Sequence, residues 1–169
     1  SIEVPATVLS GTEVSCLSPS YDGNGAVNVS VIMRVPFTKR RVDFTGTVLT
    51  FNYGNTPSVV GAEPNAGSAK GGTLIKIAGF DFEDVSTARV RFTDLGSGES
   101  VLVQPTFISD EAVSVIAPGS PSGASGGFVV LEVTNNGQEF SDDEVLYFFE
   151  EAVAVTGVKP ASVPESGGT

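Results

Sequence analysis

The chain has 169 residues, enough for one good core or two small ones, and its formal charge is −11. That charge argues against nucleic acid as a partner, because neutralising phosphates takes clustered Lys and Arg on a basic surface. One cysteine and no histidine exclude an internal disulfide and remove the commonest general base and metal ligand. No apolar run reaches the roughly 18 residues that would span a bilayer, so no direct membrane insertion is expected of this segment. Ser1 in place of an initiator Met reads as a cut from a longer polypeptide.

Gly (20) and Pro (10) divide the sequence into short runs rich in Val, Thr, Ile and Phe, the pattern of an all-β chain. In chain order, the first run ends Val14, Ser15, Cys16, Leu17, Ser18, Pro19. Cys16 falls on the inward side with Val14 and is expected to be a buried, unreactive thiol. Ser18, Pro19 and Ser20 open a loop with exposed hydroxyls, either a plain turn or a site for sugars. The next run, 25–32, places Val27, Val29 and Val31 on one face and Asn28 and Ser30 on the other. Asn28, Val29 and Ser30 form an N-glycosylation acceptor triplet on the solvent side, or a chance match. Arg34, Lys39, Arg40 and Arg41 are four of nine basic residues and sit together in a hairpin. They either blunt an edge strand or contact an acidic face of a neighbouring module or subunit. Run 48–53 closes this part.

The following strands are expected at 73–78, with Ile75 and Ile77 opposite Leu74 and Lys76, and at 88–92, with Val90 and Phe92 inward and Arg89 and Arg91 outward. Runs 101–103, 112–116, 128–134 and 144–149 complete the set. Ser120, Pro121 and Ser122 form a second Ser-Pro-Ser loop, matching that of Ser18. The acidic stretches around Asp81 and Asp142 offer hard oxygen ligands without the spacing of a calcium loop, so solvated loops are the simpler reading. No metal and no cofactor is expected. No Cys–His or Ser–His pairing and no phosphate loop supports catalysis.

An internal repeat organises these elements. Pro64 matches Pro160, and Gly71, Gly72 and Thr73 match Gly167, Gly168 and Thr169, an offset of 160 − 64 = 96 residues. Val14 to Pro19 parallels Val113 to Pro118 (118 − 19 = 99), and Val48 to Tyr53 parallels Val145 to Glu150 (145 − 48 = 97). Strands therefore recur while loops change length. One complete module is expected at 57–151, the C-terminal part of another at 1–56, and the first strand of a third at 152–169.

Pro64, the Gly71, Gly72, Thr73 turn, the run from Ile75 through Gly79 and Phe82, Val90 to Phe92, Val113 to Pro118 and Val129 to Val133 together resemble an IPT/TIG domain. That resemblance covers nearly all of 57–151 and implies immunoglobulin-like β-sandwich modules in tandem. It is similar across surface-receptor ectodomains, accessory modules of starch-acting enzymes, transcription factors and microbial surface repeats, so it leaves function open.

The expected role is a non-catalytic module of a secreted or cell-surface protein, stiffly linked into a rod or filament. Its partners would be neighbouring modules or copies of itself, with covalent glycans at Asn28 or the two Ser-Pro-Ser loops. Adding segment 155–169 to residues 1–56 of the next copy would make such a filament head to tail. The alternative is a ligand-binding ectodomain module for protein or carbohydrate, with Tyr21, Phe37 and Phe44 as candidate contacts.

Overall fold

A computed structural model describes residues 2–34, 40–123, 126–151 and 154–167. The chain divides into two compact units, Ser1–Asn55 and Thr56–Thr169. Among the described residues of the second unit the strands are β7 (Ser58–Glu63), β8 (Ala66–Ser68), β9 (Leu74–Phe80), β10 (Arg89–Asp94), β11 (Ser100–Val103), β12 (Thr106–Ser109), β13 (Ala112–Ile116), β14 (Gly127–Thr134) and β15 (Val145–Glu150). They form a four-stranded sheet, β12-β13-β9-β7, and a five-stranded sheet, β11-β10-β14-β15-β8.

Alternation decides which side of each strand is buried. Ile75 and Ile77 of β9 are fully buried while Leu74 is exposed, and Val90 and Phe92 of β10 are fully buried, as the period-2 pattern requires. Val113 and Val115 join the isoleucines from the four-stranded sheet. Facing them are Val90, Phe92, Val129, Leu131, Tyr147 and Phe149 from the five-stranded sheet. Each such side chain contributes about 1.5–3 kcal/mol by leaving water. Tyr147 and Phe149 meet edge to face with centroids 5.1 Å apart, and Phe92 lies 6.1 Å from both, the offset geometry aromatic quadrupoles prefer.

The chain enters this sandwich by crossing between layers. Strand β7 pairs antiparallel with β9, and after Pro64 and Asn65 strand β8 pairs parallel with β15 in the other sheet. Neither stands among the strand runs read from the sequence, although a first strand was expected in the matching segment 152–169. Strand β7 is interrupted by a register shift between Val59 and Gly61, and the three residues of β8 have little β propensity of their own; the ladders hold both in place.

Two glycines make the crossing fit. A Cβ on Gly67 would stand 2.2 Å from the Tyr147 hydroxyl and 2.4 Å from Thr73 Oγ1. Gly71 has φ +79°, and a Cβ there would stand 2.5 Å from the Pro118 carbonyl oxygen, so it meets both steric reasons for glycine. Phe82 also folds inward while Phe80 stays exposed; between them Asp81 takes φ 60°.

The first unit holds β1 (Ala6–Val8), β2 (Val14–Cys16), β3 (Gly25–Val29), β4 (Ile32–Arg34), β5 (Arg41–Asp43) and β6 (Leu49–Tyr53). They make three antiparallel pairs, β1 with β2, β3 with β6 and β4 with β5. The first two repeat pairs of the complete sandwich. Gly25 opens β3 opposite Tyr53, as Gly127 opens β14 opposite Phe149, and both glycines have positive φ. This register equates Tyr53 with Phe149, so the last strand recurs at 149 − 53 = 96 residues and not at 97.

The apolar side of these pairs is only half covered. Val29 is 40% exposed and Phe51 44%, where their counterparts Leu131 and Tyr147 are fully buried. Cys16, expected to be buried, is exposed. Its counterpart Val115 is buried in a strand flanked by β12 and β9 in its own sheet, whereas among the described residues β2 pairs with β1 alone. Residues 154–167, where the first strand of a third module was expected, form no ladder.

Gly67→Ala and Gly71→Ala should each lower the stability of the complete module by about 1–3 kcal/mol through overpacking and backbone strain. Chemical denaturation should record this, with Gly72→Ala as the contrast for space alone, since a Cβ there meets nothing within 4 Å.

Candidate functional site

The outward side of the five-stranded sheet carries the chemistry of the complete module. Strand register places Phe128 beside Phe148, Val130 beside Leu146 and Thr93, and Glu132 beside Arg91. Phe128 and Leu146 are about half exposed and the Phe128 and Phe148 rings lie 4.8 Å apart. The result is an apolar strip on a solvent face, a feature that marks contact surfaces.

Next to the strip lies a polar groove of about 530 Å³ lined by Arg91, Thr93, Ser100, Glu132, Asp142 and Glu144. Arg91 Nε and Nη2 each donate to a Glu132 carboxylate oxygen at 2.7 Å. Thr93 Oγ1 donates to the same carboxylate at 3.3 Å. The guanidinium also lies 3.9 Å from the centre of the Phe140 ring, a cation–π contact. Hydrogen bonding from Glu132 holds the Arg91 pKa above its ordinary value. The groove has a fixed charged floor beside apolar rings, suited to holding a surface rather than to moving protons.

At the end of β10 a further polar cluster closes a turn. Asp94 accepts from the amides of Gly96 and Ser97 at 3.0 and 2.6 Å and from Ser97 Oγ at 2.9 Å. The Ser97 amide is the chief reason its carboxyl stays below the usual range, with the Ser97 and Ser122 hydroxyls adding to it. Asp143 anchors the start of β7, accepting from the Val59 amide at 2.6 Å and from Ser58 Oγ at 3.1 Å. These carboxylates have structural jobs, and among the described residues no group of acids is arranged to hold a metal.

The residues singled out in the sequence fall in several places. Asn28 is exposed on β3, as are Ser18 and Ser20, while Pro19 is half-buried and its carbonyl accepts from the Tyr53 hydroxyl at 2.9 Å. The second Ser-Pro-Ser loop differs from expectation. Ser120 is 9% exposed and its hydroxyl lies 3.1 Å from that of Ser122, which in turn bonds Asp94. These hydroxyls serve the fold, because they sit where the loop turns back onto β10; Pro121 is half-buried beside them.

Arg34 and Arg41 lie opposite each other on β4 and β5 and both ion-pair with Glu3. The Arg34 guanidinium is the main cause of the lowered Glu3 pKa. Arg40 is exposed, and Lys39 and Phe37 lie outside the described residues. Tyr21, 47% exposed, stacks 4.9 Å from Tyr53, and Phe44 is 58% exposed. Sequence reasoning missed the Phe128 and Phe148 strip. The outward Phe128 and Val130 alternate with the inward Val129 and Leu131 and are equally apolar, so hydropathy alone does not separate the two faces there.

Two facing sheets, antiparallel but for the β15–β8 pair, a first strand that crosses between them and a tight Gly-Gly-Thr turn define an immunoglobulin-like β-sandwich module. The IPT/TIG domain model matches residues 57–148, more than half of the sequence, and the chain belongs to that family. No curated protein sequence matches it. Its fold is similar to the plexin A4 full extracellular region, domains 1 to 10, with a TM-score of 0.52, 15% identity, and coverage of 93% of this chain and 13% of that one. The same region in its domains 1 to 8 form gives a TM-score of 0.47 at 15% identity, covering 86% and 14%. The chain thus spans about one seventh of those structures.

Arg91→Ala should cost the complete module about 1–3 kcal/mol, since it removes a bidentate charge-assisted pair and leaves Glu132 half-buried without it; thermal denaturation at low and high salt measures this. Asp94, with its folded pKa depressed, contributes stability in full above the ordinary carboxyl value of 3.8, and this contribution is lost as pH falls through the folded pKa. Asp94→Asn should therefore be less stable at neutral pH and show a shallower acid dependence below that value, as read from denaturation midpoints across pH.

Proposed function

We propose that this chain is a non-catalytic structural stretch of a secreted or cell-surface protein, in which IPT/TIG modules succeed one another to build a rod or filament. The observation that carries the reading is the repeat in three dimensions: the β1–β2 and β3–β6 ladders reproduce β12–β13 and β14–β15 in pairing and register. Residues 154–167 then repeat the sequence that opens the complete module. Neighbouring modules, or further copies of the chain, are the partners in this reading, and the basic residues Arg34, Lys39, Arg40 and Arg41 are its candidate inter-module contacts. Head-to-tail assembly, with segment 155–169 adding as a strand to residues 1–56 of a second copy, is the open-ended form of the same arrangement. A fold shared with a plexin extracellular region and a strongly acidic composition support a setting outside the cell.

Electron microscopy of the full-length protein from its source should show a thread of regularly spaced modules, and protease added to intact cells should cleave it. A compact particle, or complete protection inside intact cells, would overturn the reading.

The apolar strip of Phe128, Phe148 and Leu146 favours a second reading, a ligand-binding ectodomain module for protein or carbohydrate. On that reading Phe128→Ser with Phe148→Ser should weaken capture on glycan arrays or by cell-surface proteins at least about tenfold, a loss of roughly 1.4 kcal/mol, without unfolding the module.

A further inference from the structure

The same ladder in the two units turns opposite chemistry to solvent. With Gly25 equated to Gly127 and Tyr53 to Phe149, the register sets Ala26 and Asn52 in the places of Phe128 and Phe148. Asn28 and Thr50 likewise take the places of Val130 and Leu146, and Ser30 that of Glu132. All five first-unit residues are exposed. An aromatic and aliphatic strip beside a bound Arg–Glu pair has become a surface of short, uncharged, mostly polar side chains.

Asn28 stands in the middle of that surface, with Ser30 two residues further on the same side. Asn28, Val29 and Ser30 form the sole Asn-x-Ser/Thr triplet of the chain in which x is not Pro. From these observations we infer that Asn28 carries an N-linked oligosaccharide, and this rests on the reading of the protein as secreted or surface-borne. Short neighbours leave the first sugar room above the sheet, where Phe128, Phe148 and Arg91 fill that room in the complete module. The triplet is the recognition element for the transferase that modifies such asparagines.

In the transfer, Asn28 Nδ2 bonds to the anomeric carbon of an oligosaccharide carried on a lipid diphosphate. The bond from that carbon to the diphosphate oxygen breaks, the electron pair leaves with the lipid diphosphate, and an amide proton passes to a base of the transferase. No oxidant or reductant takes part. On the folded protein the sugar screens the outward side of the β3–β6 ladder from lateral contact, while the apolar strip of the complete module has no acceptor triplet and stays bare.

The test is peptide mapping of the full-length protein from its source, alongside mass measurement of the 169-residue chain secreted from eukaryotic cells. The expected result is a chain heavier by whole N-acetylhexosamine and hexose units, reduced by glycoamidase to a peptide with Asp at position 28. Asn28→Gln and Ser30→Ala should abolish the added mass, and Ser30→Thr should keep it. Masses of the parent and Asn28→Gln chains that differ only by the one methylene of the substitution, both chains secreted and folded, would overturn the inference. Surface-exposed native protein with an unmodified Asn28 peptide would overturn it too and leave the module reading standing; native protein confined inside the cell would overturn both.

Discussion

A pleated strand shows its two sides alternately, so a sheet that is apolar on one side needs a second layer over that side. The complete module meets this constraint by setting Ile75, Ile77, Val113 and Val115 against Val90, Phe92, Val129, Leu131, Tyr147 and Phe149. The other features serve that closure. Gly67 lets β8 come up against Tyr147, Gly71 lets the turn pass under Pro118, and Asp143 fastens the first strand at its start. In the first unit the same constraint is only half met. Val29 and Phe51 keep 40% and 44% of their surface exposed, and Val14 and Cys16, the counterparts of Val113 and Val115, are exposed as well.

The sides turned away from the core are free to differ, and they do. Two ladders with the same register carry Phe128, Phe148, Leu146 and Val130 in one case and Ala26, Asn52, Thr50 and Asn28 in the other. Packing fixes the inward positions; nothing in the core fixes the outward ones. Recognition in such a family is therefore written on outward positions, and membership of the family does not predict it.

The sequence revealed what alternation and spacing encode. Strands β9, β10, β13, β14 and β15 were legible because Val, Ile and Phe recur every second residue between Gly and Pro breaks. Strands β7 and β8 were not, because a bulge at Val60 and an Ala-Gly-Ser stretch break the pattern and only the neighbouring ladders hold them extended. The burial of Ser120 was hidden for a similar reason: its hydroxyl is satisfied by Ser122, which leads to Asp94, a residue far away in sequence. Cys16 shows the reverse error. Its position in the strand was read correctly, but alternation states which way a side chain points and not whether a second layer lies there. The apolar strip went unseen because hydropathy does not tell an outward Phe128 from an inward Val129.

The crossing of the first strand has a mechanical consequence. Strands β8 and β15 run parallel, joined by Phe148 N–H donating to Asn65 O at 2.9 Å and Ala69 N–H donating to Glu150 O at 2.8 Å. A pull applied to the two ends of the module draws β8 back toward its own start and β15 forward toward its end. Tension along the chain therefore arrives as shear across this pair, loading its hydrogen bonds together, whereas a hairpin pulled from its open end would lose them one at a time.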